Sequence, residues 1–399
     1  MSISQRAAAR LRHGHVWVYR SDVVPVSDLP SGALVSVADD RKNLIGTAFY
    51  STSSQIALRL ISSGPVADVD ALIRERMRAA VRLRSFLVEN SDSYRLIFSE
   101  ADQLPGVIAD RYNNIVTVQF LSQATDQEWF RNALLETVQE EVKPAAIVER
   151  VDERIRELEQ LPRRASGVLA GKALLKPTES LNGAPTSTVF TMNGVRFHFN
   201  ALEGQKTGAF LDQRENYASA AKYAQGEAMD VFTYQGGFAL HLARRCDHVT
   251  GVDSSRGALE TAEQNEALNR DSNHNEIEWL EANAFDLLKD YSSAGKQFDT
   301  IVLDPPAFAK TKKDSGAALR GYKEINLRAF KMLRPGGVLV TCSCSHHVSE
   351  ADFIDMLRDA ASDARRMVRV LEKRGQAKDH PVLLGVPETA YLKCVILQL

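Results

Sequence analysis

From about residue 190 the chain alternates strand-like apolar runs with helical ones, and this alternation constrains the fold more than any other feature of the sequence. Residues 228–232, 248–253, 277–282, 298–304 and 337–342 read as successive core strands, with helical segments at 237–244, 256–269 and 322–333. Strand and helix in turn predict an α/β domain: a parallel sheet covered on both faces. The ending differs. Two late strand-like runs, 365–371 and 390–397, flank a loop and predict an antiparallel edge added to a doubly wound sheet.

The region before this domain reads differently. Short β-like runs at 17–19, 33–37, 44–49 and 55–61 predict a small barrel. Residues 68–89 read as a helix, followed by strands at 94–98 and 114–120, an amphipathic helix at 126–142 and a strand at 146–149. A length of 399 residues suits two or three domains. The expected boundaries give residues 1–75 as the barrel, 76–190 as a small α+β part and 191–399 as the α/β domain.

Charge places a first functional hint. The whole chain carries 49 Lys+Arg against 51 Asp+Glu, too balanced to propose or exclude a polyanionic partner. Residues 1–85, however, hold twelve basic and seven acidic side chains. Arg10, Arg12, His15 and Trp17 are candidates for an RNA-binding face, against the plainer reading of a solvated terminal segment. The four cysteines are too few for a disulfide framework, and no run predicts a signal peptide or a membrane span. A cytoplasmic, reducing setting is expected, with no membrane partner.

The strand ends carry the chemistry. The first parallel strand runs into Asp230-Val231-Phe232-Thr233-Tyr234-Gln235-Gly236-Gly237, where glycines let a ligand approach the backbone beside a helix start, or merely ease helix packing. Asp253 closes the second strand and suits two ribose hydroxyls, so a dinucleotide and S-adenosylmethionine (SAM) both remain in play. Asp304-Pro305-Pro306-Ala307-Phe308 after the fourth strand separates them. Two prolines fix an acid and a carbonyl rigidly, as in methyltransferases acting on planar bases, and a dehydrogenase has no comparable need. SAM is therefore the expected cofactor, with S-adenosylhomocysteine (SAH) as its product.

The fifth strand ends in Cys342-Ser343-Cys344-Ser345-His346-His347. Buried structural thiols, a metal site and a nucleophile compete here. Structural zinc wants two spaced ligand pairs and no second pair exists, so no metal is expected. A thiolate has a clear use: it can add to C6 of cytosine, making C5 nucleophilic toward a methyl sulfonium, while an acid such as Asp304 stabilises the adduct. Methylation of an exocyclic amine would need Asp304 but no cysteine.

Several motifs in fixed order resemble one family. Lys206-Thr207-Gly208, Leu211-Asp212-Gln213-Arg214, Gly236-Gly237-Phe238, Asp304-Pro305-Pro306, Arg320-Gly321-Tyr322-Lys323, Ser343-Cys344-Ser345 and Asp379-His380-Pro381 look like the bacterial large-subunit (23S) ribosomal RNA cytosine-5 methyltransferases. The resemblance extends to Gly14-His15-Val16-Trp17-Val18-Tyr19 and to the segment from Arg95 to Tyr112. It implies a PUA domain, a small central domain and a Rossmann-like class I methyltransferase domain acting on rRNA, and leaves a homodimer open. It also implies Cys344 as nucleophile, with Cys342 a bystander. For the cofactor it implies Lys206, Thr207, Phe210 and Arg214 at the methionine end. Asp230, Phe232, Tyr234, Gly236, Gly237, Asp253, Asp304 and Pro305 complete the set with Asn283 and Ala284, where Asn283 replaces the usual Asp and offers its amide oxygen to the adenine amine. Arg214 as an ordinary surface ion pair is the plainer alternative. Lys310, Lys312, Lys313 and Arg320 suit a loop closing on RNA, or a solvated linker. A non-catalytic RNA-binding protein of ribosome assembly, built on a decayed methyltransferase frame, is the remaining alternative.

Overall fold

The computed structural model describes residues 1–24, 28–169, 186–202, 209–270, 275–309 and 312–399. They fall into two compact units. The first comprises Met1–Thr191, Phe199–Leu211 and Lys378–Thr389, the second Met192–His198, Asp212–Ala377 and Ala390–Leu399.

The first unit begins with a helix that the sequence reading did not assign, having weighed the segment as an RNA-binding face or a solvated terminal segment. Ser4 caps Gln5–Arg12 by accepting from the Ala7 amide at 3.2 Å, and Ala7, Ala8 and Leu11 form its buried stripe. That stripe packs on Val18, Val37, Ala48 and Leu58. The strands lie in the order Trp17–Tyr19, Ile56–Ser62, Leu44–Tyr50, Leu34–Ala38, all antiparallel. The expected barrel is thus a four-stranded sheet, extended at its rim by single bridges from Ser2 to Ala38 and from Ile3 to Val23.

Helix Val69–Leu87 follows, capped by Asp68. Its buried residues Ile73, Met77, Ala80 and Arg84 keep helical spacing along one face. Arg84 tolerates full burial because two of its N–H groups reach Asp102, at 2.5 and 2.8 Å, and another reaches the Asp379 carbonyl. A five-stranded sheet completes the unit, ordered Ser93–Phe98, Val107–Tyr112, Ile115–Phe120, Ala146–Glu149, Gly167–Val168. Strand Val107–Tyr112 escaped the sequence reading because Asp110 and Arg111 interrupt its apolar run. Asp110 is nevertheless fully buried, held by Arg95 at 2.6 Å.

The second unit is built on a seven-stranded sheet. Numbered along the chain its strands are Glu227–Val231, His248–Asp253, Ile277–Glu281, Phe298–Leu303, Leu333–Ser343, Arg369–Arg374 and Lys393–Gln398, and in space they run 3-2-1-4-5-7-6. The first five are parallel; the seventh pairs antiparallel with both the fifth and the sixth, giving the expected antiparallel edge. Strand order reverses between the first and fourth strands, and ligands of open α/β sheets gather at the carboxyl ends beside such a reversal. Met229, Val231, Ile301, Leu303, Leu339 and Val395 lie in the core between sheet and helices. Helices Arg214–Tyr223, Ala284–Ser293 and Glu350–Asp363 were not read from the sequence, and helix Ser315–Met332 begins well ahead of residue 322. No described helix is long and apolar enough to cross a membrane.

Candidate active site

Four neighbouring strand ends in the second unit carry the chemistry-bearing residues. After the first strand, Phe232 and Tyr234 adopt left-handed φ of 68° and 52°, and Gly236 of 84°. Only glycine takes that conformation without strain, and the two aromatic residues hold it because the turn is over-determined. Buried Asp230 does much of this work, accepting from the Thr233 hydroxyl at 2.6 Å and the Ala239 amide at 2.9 Å. A side chain on Gly236 would strike Trp279, and one on Gly237 would strike Tyr217. Close packing therefore accounts for both glycines, alongside any room they leave for a ligand.

Asp230 itself is fully buried, so it positions the turn and does not line its surface. Burial pushes its carboxyl up to about 7. Between pH ~4 and ~7 the folded chain keeps a proton that the unfolded chain releases, so this group makes stability fall as pH rises through that window. Asp230→Asn, neutral throughout, should flatten the dependence of Tm on pH between about 4 and 7. Parallel wild-type and variant curves would contradict the assignment.

Asp253 is half-buried at the end of the second strand. One oxygen accepts from the Tyr234 amide and the other from the Ser255 amide, both at 2.9 Å. A carboxylate oxygen has two acceptor positions, so each oxygen keeps one for a further donor. Paired acceptors beside the glycine turn fit the vicinal hydroxyls of a nucleoside cofactor. Asn283 behaves otherwise than expected. Its side-chain oxygen caps helix Ala284–Ser293, accepting from Phe285 and Asp286 at 2.9 and 3.3 Å, and so is already engaged, with Ala284 buried beneath it. Arg214 is only 2% exposed, which rules out the ordinary surface ion pair; its guanidinium lies beside Glu215.

Asp304 follows the fourth strand, its amide donating to the Val231 carbonyl at 3.3 Å, with Pro305 buried behind it. Leu303 pairs with Thr341, so Asp304 sits in register with Cys342 and two positions short of Cys344. The two cysteines differ sharply. Cys342 is fully buried opposite Cys394, and burial drives its thiol well above the ordinary range; Cys344 is half-exposed just past the strand end. Thiolates form where water or a cation can support them, which favours Cys344 over Cys342 as the reactive one.

Tyr322 ties the two loops together, a role invisible in the sequence. It is fully buried, its hydroxyl lies 2.9 Å from Ser345 Oγ, and its ring packs on Phe308 with centroids 4.6 Å apart. Phe308 lies in the Asp304 loop and Ser345 flanks Cys344, so one side chain braces both; Ser345 Oγ also accepts from the Ala309 amide. Sequence reasoning also missed Lys393, which lies in the apolar run Leu392-Lys393-Cys394-Val395-Ile396-Leu397. A lysine inside a core strand is rare enough to be the signal that could have found it.

The remaining assignments divide. Lys206, Thr207 and Lys310 lie outside the described residues, as does the side chain of Lys312, and Phe210 and His380 belong to the first unit. Lys313 and Arg320 are exposed, but from Ser315 onward the segment is helix and not a loop. In the first unit Arg10 donates to the Trp17 carbonyl and faces Asp22, and Arg12 bonds Asp39 at 2.6 Å. The His15 ring meets the Trp17 edge, and the Trp17 indole donates to Glu100 at 2.9 Å. These internal partners offset much of the positive charge that the sequence suggested was available for phosphate.

The matches to known families agree with this geometry: residues 119–397 fit S-adenosylmethionine-dependent methyltransferase and residues 1–63 fit PUA-like domain. The chain is a SAM-dependent methyltransferase carrying a PUA-like domain. It is 36% identical over 391 residues to a protein of Photobacterium profundum, covering 96% of this chain and 95% of that one. Against a protein of Erwinia tasmaniensis it is 37% identical over 386 residues, covering 95% and 94%. Both are named ribosomal RNA large subunit methyltransferase I, and this chain belongs to that family. Among solved structures, a putative SAM-dependent methyltransferase from Streptococcus mutans shares the fold, with a TM-score of 0.81 at 18% identity over 100% of this chain and 99% of that one.

Proposed function

We propose that the chain methylates C5 of a cytosine in large-subunit ribosomal RNA through a covalent adduct on Cys344. The observation that carries this reading is the contrast within one strand end: a half-exposed Cys344 beside the Asp304 loop, against a Cys342 sealed in the core. The names of the full-length relatives supply the substrate class.

When bound, SAM supplies an electrophilic methyl group, and the paired acceptors of Asp253 suit its ribose. The chain's own groups do the rest. The sulfur of Cys344 adds to C6, its lone pair forming the S–C6 bond while the C5–C6 π electrons move to C5. Asp304, aimed by Pro305 and Pro306, accepts from the exocyclic amine and in its protonated form passes a proton to N3, which takes up the charge that addition displaces; the proton returns when the ring is restored. C5 takes the methyl group. A base then removes the C5 proton, the double bond reforms and the S–C6 bond breaks, returning the thiolate.

In this reading residues 1–75 serve RNA binding, with Arg12 and His15 among the contacts, residues 76–190 form the central part and 191–399 catalyse. Large-subunit rRNA is the partner, with Lys310, Lys313 and Arg320 as further contacts, and a cytoplasmic setting and a homodimer accompany it. Mass spectrometry of nucleosides from rRNA incubated with the protein and labelled SAM tests the reading. The label is expected in 5-methylcytidine; label in an N-methylated nucleoside would replace the proposal with exocyclic-amine chemistry, and no label would overturn it.

A further inference from the structure

Lys393 lies opposite Ser343 in the antiparallel pairing of the fifth and seventh strands and is only 8% exposed. Its Nζ donates to the carbonyls of Ser345, at 2.7 Å, and Tyr391, at 2.9 Å. Ser345 directly follows Cys344, so the first of these bonds anchors the ammonium against the loop that carries the thiol. An ammonium has three donors, and two are spent on these carbonyls. Cys344 is the titratable group whose charge Lys393 feels.

A buried lysine costs stability unless its charge has work to do, because burial disfavours the ionised form. Two neutral carbonyls fix its position without neutralising it. We propose that Lys393 is the positioning residue that holds Cys344 as a thiolate, its ammonium fixed on two backbone carbonyls as counter-ion to the sulfur. This rests on the reading of Cys344 as the nucleophile. Ionisation breaks the S–H bond and releases the proton to solvent; the electron pair stays on sulfur, and the ammonium keeps its own proton. The same ammonium would steady the sulfur again when the S–C6 bond breaks.

Among the described residues, the titratable groups around this pair are few. Tyr322 Oη meets Ser345 from helix Ser315–Met332. The Tyr391 hydroxyl donates to Asp212 at 2.6 Å, and the His346 ring packs on Tyr391 at 5.4 Å. Cys342 and Cys394 lie buried behind the strand end, and Asp304 is in register with Cys342. Of these, only Lys393 is a cation whatever the state of a histidine. Burial brings it down to about 8, with Cys344 acting in the opposite direction, so it remains mostly charged at neutral pH.

The test follows alkylation of Cys344 by iodoacetamide in the full-length protein from about pH 5.5 to 9, read by peptide mass spectrometry. Lys393→Met should raise the midpoint by roughly one pH unit and slow alkylation near neutrality about tenfold, while Lys393→Arg keeps a profile close to wild type. A Lys393→Met profile that overlays wild type overturns the proposal. Should Lys393→Met fail to fold, the reciprocal measurement decides, since coupling between two sites acts equally on both. An NMR titration of the Lys393 side chain, assigned by its loss in Lys393→Arg, should show a lower midpoint in Cys344→Ala than in wild type; an unmoved midpoint overturns the proposal. Neither readout involves RNA, so loss of methylation in Cys344→Ala together with an unmoved midpoint would remove this inference and leave the proposed function standing.

Discussion

Cys344→Ser should lower methyl transfer to rRNA by at least about a thousandfold while leaving SAM affinity and Tm near wild type. A serine hydroxyl is far less acidic than a thiol, so almost none is ionised at neutral pH and addition to C6 loses its nucleophile. The substitution barely alters volume, and the site lies just past the strand end, half-exposed. The loop keeps its other supports, from Tyr322 to Ser345 and from Ser345 to the Ala309 amide. Single-turnover transfer from labelled SAM, with calorimetric SAM binding alongside, separates chemistry from fold. Retention of a tenth or more of wild-type activity would exclude the covalent route. Cys342→Ser serves as the contrast: it would place a hydroxyl in a sealed core position, so its first effect is on stability, at a cost of about 1–3 kcal/mol if the hydroxyl finds no partner.

The second large effect is expected at Asp304. Asp304→Asn keeps size and the constraint imposed by Pro305, yet removes the acid that can pass a proton to N3 in the adduct; kcat should fall by roughly 10²–10⁴ with a smaller change in KM. Pro305 stays buried behind the loop in the variant, so the fold should keep its stability, and Tm reports whether it does. A rise in KM with kcat unchanged would instead make Asp304 a residue of uniform substrate binding.

Legibility differed between the two units for a physical reason. Parallel strands buried on both faces are nearly continuous apolar runs, and 248–253 and 256–269 could be read to the residue, as His248–Asp253 and Arg256–Asn269. Helix Gln5–Arg12 went unread although Ser4 and the alanine run announced it, because its arginines suggested a partner before a helix. Those arginines turned out to face Asp22 and Asp39, charges distant in sequence that no local pattern predicts. Asn283 likewise looked like a ligand for adenine, and its amide oxygen was taken by the helix start two residues on.

The order of apolar runs, the acids closing the strands and the Asp-Pro-Pro and Ser-Cys-Ser segments were set by the sequence alone, because each depends on residues adjacent in the chain. What only the tertiary structure decided were the relations across strands and loops: Asp230 bracing the glycine turn, Tyr322 tying the Asp304 and Cys344 segments together, and Lys393 bonded to the Ser345 carbonyl. Lys393 and the Ser343–Ser345 segment that carries Cys344 are far apart in sequence and meet because the last strand pairs antiparallel with the fifth. Burial then gives that meeting its chemistry, since a charge removed from water acts most strongly on the nearest group able to take the opposite one.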